Sequence, residues 1–291
     1  MNHHELFDAP FLALLERLHL LAKRLAGGAA AGQRRARRLG DGLEFADHRD
    51  YAPGDDIRFI DWPYYARMEK ILLRLFHEHN DAEVTILLDC SASMAGEKFT
   101  YARRTAAALA YVAMGGLERV TIQPFADELA SPLRTGRNRG QILHVLDYLA
   151  ALAPAGQTHL DRCTTLLTAR PELSGTVLLL GDLLDCSESL SDACLRLRQR
   201  CEPTVIHIYG AEDAEPTLRG QMLLRAAESE QEMSLDLTPE LLASYRARWE
   251  EFRHGCEHAV LARGAIYVAA PTALPFEKLV LQTLRQAGVL N

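Results

Sequence analysis

The chain has 291 residues, of which 48% are hydrophobic and 24% are charged, and its net charge is −7 at neutral pH. This length and composition are sufficient for one large domain or two smaller ones with a real hydrophobic core. The acidic balance argues against nucleic acid as the main partner.

Apolar residues recur every three or four positions near the N-terminus, at Phe7, Phe11, Leu14, Leu18, Leu21 and Leu25. This spacing predicts an amphipathic helix, which Gly27–Gly28 would end. We expect its stripe to pack on the chain's own core, and docking on a partner or second copy is the alternative. No segment is long and apolar enough to predict a membrane span, since charges interrupt this helix, and the lack of a cleavage-site pattern after its apolar part argues against a signal peptide.

The segment from about residue 40 to 79 is dense in charged and aromatic residues. Acidic residues alternate with arginines around a turn predicted at Pro53–Gly54: Asp50, Asp55, Asp56 and Asp61 with Arg49, Arg58 and Arg67. An internal ion-pair network is the preferred interpretation, with Trp62 as an apolar anchor beneath it. A partner surface is the alternative.

From about residue 82 the pattern alternates between strands and helices. Strands are predicted at Val84–Asp89, Val120–Phe125, Thr176–Gly181, Pro203–Tyr209 and Ala265–Ala270. Helices are predicted at Lys98–Gly115, Gln141–Leu152, Asp161–Ala169, Leu190–Gln199, Pro239–Leu261 and Phe276–Gln286. A short antiparallel edge strand is expected at Leu129–Leu133, and a hairpin at Gln221–Leu224 with Met233–Leu237.

This alternation predicts an α/β fold in which helices flank a mostly parallel sheet of about six strands. We divide the chain into an N-terminal helix with a charged segment, residues 1–80, and an α/β domain, residues 81–291. The hairpin near residues 216–237 is an insertion in that domain. The six cysteines include no C-x-x-C pair, which predicts reduced thiols and a cytoplasmic protein.

The strand Val84–Asp89 ends in three oxygen-bearing side chains, those of Asp89, Ser91 and Ser93. Ligand sites of open α/β sheets gather at the carboxyl ends of strands. One carboxylate and two hydroxyls on a tight loop suit a hard cation, Mg²⁺ or Mn²⁺, more than Zn²⁺. The alternative is a polar turn in which Ser93 or a neighbour caps the next helix.

The spacing Asp-x-Ser-x-Ser resembles the metal-ion-dependent adhesion site of von Willebrand factor A (vWA) domains. That site also takes a threonine from a second loop and an aspartate from the end of a later strand. The resemblance assigns these roles to Thr158, which precedes a helix, and to Asp182, which ends the strand at Thr176–Gly181. Asp185 is the competing carboxylate, but it lies three residues beyond Asp182.

The segment before the first strand carries a longer signature, in the runs Gly40–Phe45, Arg49–Trp62 and Ala66–Arg67. It resembles the bacterial domain of unknown function 58 family, whose members have a vWA-like core and are usually encoded beside MoxR-type AAA+ ATPases. The resemblance implies a vWA-like (Rossmann-type) domain with an N-terminal family-specific extension.

These features predict a metal-dependent protein-binding module rather than an enzyme. A bound cation would leave one position open, so we expect the site to face solvent and to accept a partner's carboxylate. The resemblance implies a MoxR-type AAA+ ATPase as that partner, in protein assembly, maturation or chaperone-like activity.

The alternative is a metal-dependent hydrolase or phosphatase that uses Asp89. Ser91 stands where haloacid-dehalogenase phosphatases need a second aspartate as acid and base. Neither Ser91 nor Ser93 lies in a Gly-x-Ser-x-Gly elbow. A structural domain with an empty site is a third alternative.

Overall fold

The computed structural model describes residues 6–26, 39–40, 44–52, 55–77, 83–116, 118–136, 138–184, 186–228 and 231–286. The predicted turn at Pro53–Gly54 and the competing carboxylate Asp185 lie outside these ranges. The described residues fall into two compact units. One contains residues 6–23 and 83–286, and the other contains the described part of residues 24–81.

The N-terminal helix α1, Ala9–Ala26, packs on the core of the larger unit. Phe7, Phe11 and Leu18 are buried. The Phe11 ring lies 5.3 Å from that of Phe276, and the Arg104 side chain donates to the carbonyl of Leu6 at 2.8 Å. The expectation that the stripe covers the chain's own core is confirmed.

The smaller unit contains a three-stranded antiparallel sheet that the sequence pattern did not predict. Its elements are β1 (Leu39–Gly40), β2 (Glu44–Asp50), a short helix α2 (Trp62–Met68) and β3 (Leu72–His77). The strand order is β1–β3–β2. β2 is mostly polar and carries an irregularity between Phe45 and Asp47, so it lacks the regular alternation that predicts a strand.

The four aspartates of the predicted network pair with cationic or histidine side chains of the same unit, which confirms the preferred interpretation for them. Close pairs join Arg49 to Asp55 at 2.6 Å, Arg58 to Asp56 at 2.6 Å, Lys70 to Asp50 at 2.9 Å and His48 to Asp61 at 2.9 Å. Arg67 departs from this interpretation, because its Nε donates to the carbonyl of Pro63 at 3.2 Å. The expectation for Trp62 is wrong, because its side chain is 57% exposed. Asp61 caps α2 by accepting the backbone N–H of Tyr64, which places Trp62 at the helix start rather than beneath the charges.

The larger unit alternates strands and helices from residue 83 onward. In chain order its elements are β4 (Glu83–Asp89), α3 (Glu97–Gly115), β5 (Arg119–Phe125), β6 (Leu133–Arg134), α4 (Ile142–Ala151), α5 (Leu160–Thr168), β7 (Thr176–Gly181), α6 (Ser187–Arg198), β8 (Glu202–Tyr209), α7 (Ala211–Ala214), β9 (Gly220–Arg225), β10 (Glu232–Leu237), α8 (Pro239–Leu261), β11 (Ile266–Pro271) and α9 (Phe276–Gln286).

Within the described residues, six strands form the main sheet in the order β11–β8–β7–β4–β5–β6. Every pair is parallel except β5 with β6. Central strand β4 is buried on both faces, and Ile86, Leu87 and Leu88 are 0% exposed. The predicted α/β fold class, a mostly parallel sheet of about six strands flanked by helices, is confirmed.

The edge strand is antiparallel as expected, but its predicted bounds are wrong. Leu129 forms only an isolated bridge with Phe125, and the paired residues are Leu133 and Arg134. Pro132 lies between Leu129 and Leu133 and has no N–H to donate to a ladder, so pairing resumes only after this proline.

Helices cover both faces of the sheet. α3 packs against α4 and α9, whereas α6 packs against α5 and α8. The connection from β4 to β5 runs in the opposite direction to that from β7 to β8, and right-handed crossovers therefore place α3 and α6 on opposite faces. The predicted hairpin is present as β9 and β10, which pair only with each other among the described strands.

All six cysteines are free and buried. Burial raises the pKa of the Cys163 and Cys256 thiols to about 11. Among the described residues, none of the helices combines the length and apolar character that a membrane crossing requires.

His207 predicts how the fold responds to acid. Its ring is 0% exposed, its Nδ1 lies 2.7 Å from the Tyr267 hydroxyl, and burial lowers its pKa to about 4. A depressed pKa means that the folded state resists protonation, so stability is lost as the pH falls from 6.5 towards 4. We expect a loss of up to about 3 kcal/mol in wild type from this residue.

Urea unfolding at pH 7 and pH 4.5 measures this effect. His207→Gln should lose much less stability between these pH values than wild type. His254→Gln, at an exposed position on α8, is the matched control and should behave as wild type. An equal acid loss in His207→Gln and wild type would contradict the assignment.

Candidate metal centre

The sheet topology brings the predicted ligands to one edge. β4 lies between β5 and β7, and the chain leaves β4 towards β5 while β7 lies on its other side. Such a reversal of strand order opens a crevice at the carboxyl ends of the strands. Asp89, the last residue of β4, lies at this crevice and is 1% exposed.

The loop after β4 folds back on the Asp89 carboxylate. The backbone N–H of Ser91 donates to Asp89 Oδ1 at 2.9 Å, and the Ser91 and Ser93 hydroxyl oxygens lie 3.0 Å apart. A single 3₁₀ turn, Ala92–Met94, holds the two serines. The alternative role as a helix cap is wrong, because Gly96 is the N-cap of α3. Neither serine hydroxyl is therefore used to cap α3, and both stay in the loop beside Asp89.

A second loop, before α5, supplies Thr158. It is tied to the first loop by a backbone hydrogen bond from Ala92 to the carbonyl of Gly156 at 3.0 Å. Gly156 has φ +82°, a backbone conformation that favours glycine, and a Cβ there would require the Asp127 carboxylate to move. The Thr158 hydroxyl lies 3.3 Å from Asp89 Oδ2 and donates to it. Asp89 and Thr158, separated by 69 positions, are in contact as the sequence resemblance requires.

Asp182 follows β7, the strand beside β4, and is 1% exposed. A Cβ on Gly181 would lie 3.0 Å from Asp89 Oδ2, so this glycine allows the end of β7 to approach the carboxylate closely. Asp182 Oδ1 accepts the backbone N–H of Leu184 at 3.3 Å. Its Oδ2 accepts a hydrogen bond from the Lys98 ammonium at 2.7 Å.

Lys98 is a site residue that the sequence analysis missed. Its side chain is 11% exposed, and its Nζ also lies 3.5 Å from Asp213 Oδ2. A lysine in the first turn of a helix is unfavourable next to the positive end of the helix dipole. Lys98, in the first turn of α3, is held there by two carboxylates that lie far away in sequence.

Glu228 is a second missed residue. It follows β9, at the turn of the hairpin, and its Oε2 accepts the backbone N–H of Thr158 at 3.2 Å. Its Oε1 lies 3.5 Å from the Thr158 hydroxyl, and its carbonyl accepts the side-chain amide of Gln157 at 2.9 Å. The hairpin therefore touches the second loop of the site.

The expectation that the predicted ligands face solvent is wrong for most of them. Four of the five predicted ligands are buried and at most 7% exposed, namely Asp89, Ser91, Thr158 and Asp182. Ser93 is half-buried. The contact of the hairpin turn with the second loop contributes to this cover.

The site has excess negative charge. Burial raises the pKa of Asp89 to about 7, and the charges of Asp182 and Glu228 add to this effect, while the N–H of Ser91 opposes it. Lys98 neutralises Asp182 but donates no hydrogen bond to Asp89 among the contacts of the described residues. A cation beside Asp89 would relieve this repulsion.

The donor chemistry fits a hard cation. Among the described residues, no group of three or more His, Cys, Asp or Glu side chains is placed to hold a metal. A metal here therefore depends on hydroxyl oxygens, which Mg²⁺ and Mn²⁺ accept as ligands beside carboxylates and waters. Asp89, Ser91, Ser93 and Thr158 form a linked set of such donors, whereas Asp182 is engaged by a lysine. Metal binding by the five residues stays a prediction.

One protein-family model matches most of the chain. The model of a family described as "Protein of unknown function DUF58" matches residues 47–255. No curated protein matches the chain.

Solved structures that resemble the chain are distant in sequence. BatB, a conserved hypothetical protein from Bacteroides thetaiotaomicron, has 14% identity and a TM-score of 0.41 over 71% of this chain and 98% of its own. An aerotolerance-related membrane protein from Bacteroides fragilis has 14% identity and a TM-score of 0.47 over the same shares, 71% and 98%. A von Willebrand factor type A protein from Catenulispora acidiphila has 13% identity and a TM-score of 0.41, over 75% of this chain and 43% of its own.

The Lys98–Asp182 pair predicts a large and local effect on stability. Lys98→Met leaves Asp182 buried without its ammonium partner, and removal of one member of a buried ion pair costs about 3–5 kcal/mol. Arg134→Met is the matched control, because Arg134 pairs with Glu172 at 2.6 Å on the surface and exposed pairs contribute about 1 kcal/mol or less.

Chemical unfolding in EDTA measures both variants. The double variant Lys98→Met/Asp182→Asn should recover part of the loss, since the uncompensated charge is gone. Equal losses for Lys98→Met and Arg134→Met would show that the buried pair has no special weight.

Proposed function

The chain belongs to the DUF58 family of proteins of unknown function, and on that premise we propose that it is a metal-dependent protein-binding module. Its vWA-like domain would bind Mg²⁺, or Mn²⁺, through Asp89, Ser91, Ser93 and Thr158, with Asp182 beside them. Its partner would be a MoxR-type AAA+ ATPase, in protein assembly, maturation or chaperone-like activity.

One observation carries the proposal: a buried carboxylate and three hydroxyls from two loops meet at the carboxyl end of the central strand. The Thr158 hydroxyl donates to Asp89 Oδ2 at 3.3 Å, and the backbone N–H of Ser91 donates to Asp89 Oδ1 at 2.9 Å. The hydroxyls of Ser91 and Ser93 lie 3.0 Å apart on the same loop. Buried carboxylates are ordinarily paired with a cation, and Asp89 has hydroxyls and an N–H instead. The set lies at the position in the sheet where open α/β folds bind ligands.

Each residue has a distinct part in the proposal. Asp89 would supply the charge that holds the cation, and Ser91, Ser93 and Thr158 would supply neutral oxygens. When bound, Mg²⁺ would offer a position at which a partner's carboxylate replaces a water. Asp182, held by Lys98, would shape the site without adding a second free charge.

Charge explains why binding to a carboxylate would depend on the metal. Asp89 and Glu228 would repel a partner's Asp or Glu side chain in the metal-free site, because like charges at short distance are unfavourable. The net charge of −7 adds to this repulsion at longer range. A divalent cation would cancel the charges of Asp89 and Glu228, so association would be switched by metal rather than driven by apolar contact.

A thermal melt with and without Mg²⁺ tests the metal site. We expect wild type to gain about 2.7 kcal/mol at 100 times the dissociation constant, because a ligand that binds only the folded state stabilises it. Asp89→Asn should gain nothing. Asp192→Asn, at an exposed position on α6, is the matched control and should gain as much as wild type.

The same variant in EDTA gives a second readout. The raised pKa of Asp89, about 7, means that the folded state prefers the protonated carboxyl, so the metal-free protein loses stability as the pH rises from about 4 to 7. Asp89→Asn lacks this ionisation and should exceed wild type at pH 8, by up to about 4 kcal/mol. Wild type that gains no stability from Mg²⁺ or Mn²⁺ would contradict the metal proposal.

Affinity capture of the MoxR-type ATPase tests the partner. Wild-type protein should retain the ATPase in Mg²⁺ and release it in EDTA, and Asp89→Asn should retain none, because no cation would bridge the carboxylates. Equal retention by wild type and Asp89→Asn would exclude this site as the docking surface. The charged segment from Arg49 to Arg67, with its exposed Trp62, would then be the surface to examine.

A further inference from the structure

The β9–β10 hairpin has a feature that the proposed function does not use. Its two strands pair only with each other among the described residues, and most of their side chains are exposed, including Leu223 at 66% and Met233 at 61%. The residues that follow β9 nevertheless reach the candidate metal centre, where Glu228 contacts Thr158.

Glu228 is held at the site by three separate contacts. One carboxylate oxygen accepts the Thr158 N–H at 3.2 Å, the other lies 3.5 Å from the Thr158 hydroxyl, and the Glu228 carbonyl accepts the Gln157 amide at 2.9 Å. That hydroxyl also donates to Asp89 Oδ2 at 3.3 Å. A single hydroxyl therefore lies between the carboxylates of Asp89 and Glu228.

This placement is electrostatically unfavourable without a cation. The carboxylates of Asp89 and Glu228 both lie within 3.5 Å of the Thr158 hydroxyl, and like charges this close repel each other. An exposed hairpin could place its glutamate in water at no such cost. The carboxylate instead lies against the loop that carries Thr158, as an incoming acidic side chain would.

We propose that the hairpin is a tethered ligand of the metal centre, with Glu228 as the carboxylate that completes the site in the free protein. An outside carboxylate would then bind only after the hairpin turn has left the second loop. The inference rests on the proposed function, since it assigns the open position of that site to a residue of the chain itself.

The hairpin is suited to such an exchange. Because its backbone hydrogen bonds are internal to β9 and β10, its departure would break no ladder of the main sheet. The side-chain amide of Gln157 and the backbone N–H of Thr158, which now donate to Glu228, would then be free to donate hydrogen bonds to an incoming carboxylate.

Mn²⁺ alone, with acetate as a simple carboxylate, provides the probe. Water-proton relaxation by the protein-bound Mn²⁺ reports how many exchangeable waters the ion keeps, and EPR titration gives its affinity. Glu228→Gln should bind Mn²⁺ about tenfold more weakly than wild type, a loss of the size that metal-site partners commonly produce, and should gain one exchangeable water. Acetate should displace that water at a concentration at least tenfold lower than in wild type.

Glu232→Gln is the matched control, because it removes the same charge from an exposed position on β10 of the same hairpin. It should match wild type in affinity, water count and acetate response. If Glu228→Gln also matches wild type in all three while both bind Mn²⁺, the tethered ligand is overturned and the metal site stands. If wild type binds no Mn²⁺, the proposed function and this inference both fail.

Discussion

The structure depends on one constraint, the burial of the Asp89 carboxylate at the end of the central strand. The apolar run before it forces β4 into the middle of the sheet, where Ile86, Leu87 and Leu88 are 0% exposed. The carboxylate must follow the strand into the crevice between two loops. Removal of a charge from water is costly unless partners replace its hydration. The hydroxyl of Thr158 and the N–H of Ser91 supply part of that replacement, and the raised pKa of Asp89 shows that they do not supply all of it.

Burial of Asp89 requires the loop after β4 and the loop before α5 to approach each other closely. Gly156 leaves space for Asp127, and Gly181 leaves space for Asp89 itself. A side chain at Gly156 would displace the Asp127 carboxylate, and one at Gly181 would crowd the Asp89 side chain at 3.0 Å. Lys98 then balances Asp182 rather than Asp89, so of these two buried carboxylates the charge of Asp89 is the less compensated. Metal affinity and fold stability are consequently opposed at this position, because the group that would hold a cation destabilises the metal-free site.

The local sequence pattern predicted those helices and strands that an apolar run or a helix-starting proline marks clearly. β7, α8 and α9 have the predicted bounds, because apolar runs and a proline at the helix start mark them clearly. The contact of Asp89 with Thr158 was reached by analogy of chain order. Lys98 and Glu228 could not be found in this way, since their partners lie 84 and 70 positions away and nothing near them in the sequence marks a pairing. The polar strand β2 and the exposed Trp62 were missed because charge pairing, rather than apolar periodicity, organises that segment.

Competition between Glu228 and an outside carboxylate would lower the apparent affinity for the partner by a calculable amount. If the site accepts an outside carboxylate only when Glu228 has left, the apparent affinity equals the intrinsic affinity multiplied by the fraction of molecules in which Glu228 has left. Each tenfold reduction corresponds to about 1.4 kcal/mol, so two or three hydrogen bonds of ordinary strength suffice to hold the site closed. Glu228 makes contacts of that number with Gln157 and Thr158. A partner that engages the exposed apolar side chains of the hairpin would shift this equilibrium without touching the metal, and it would thereby gain access to the site that the hairpin covers.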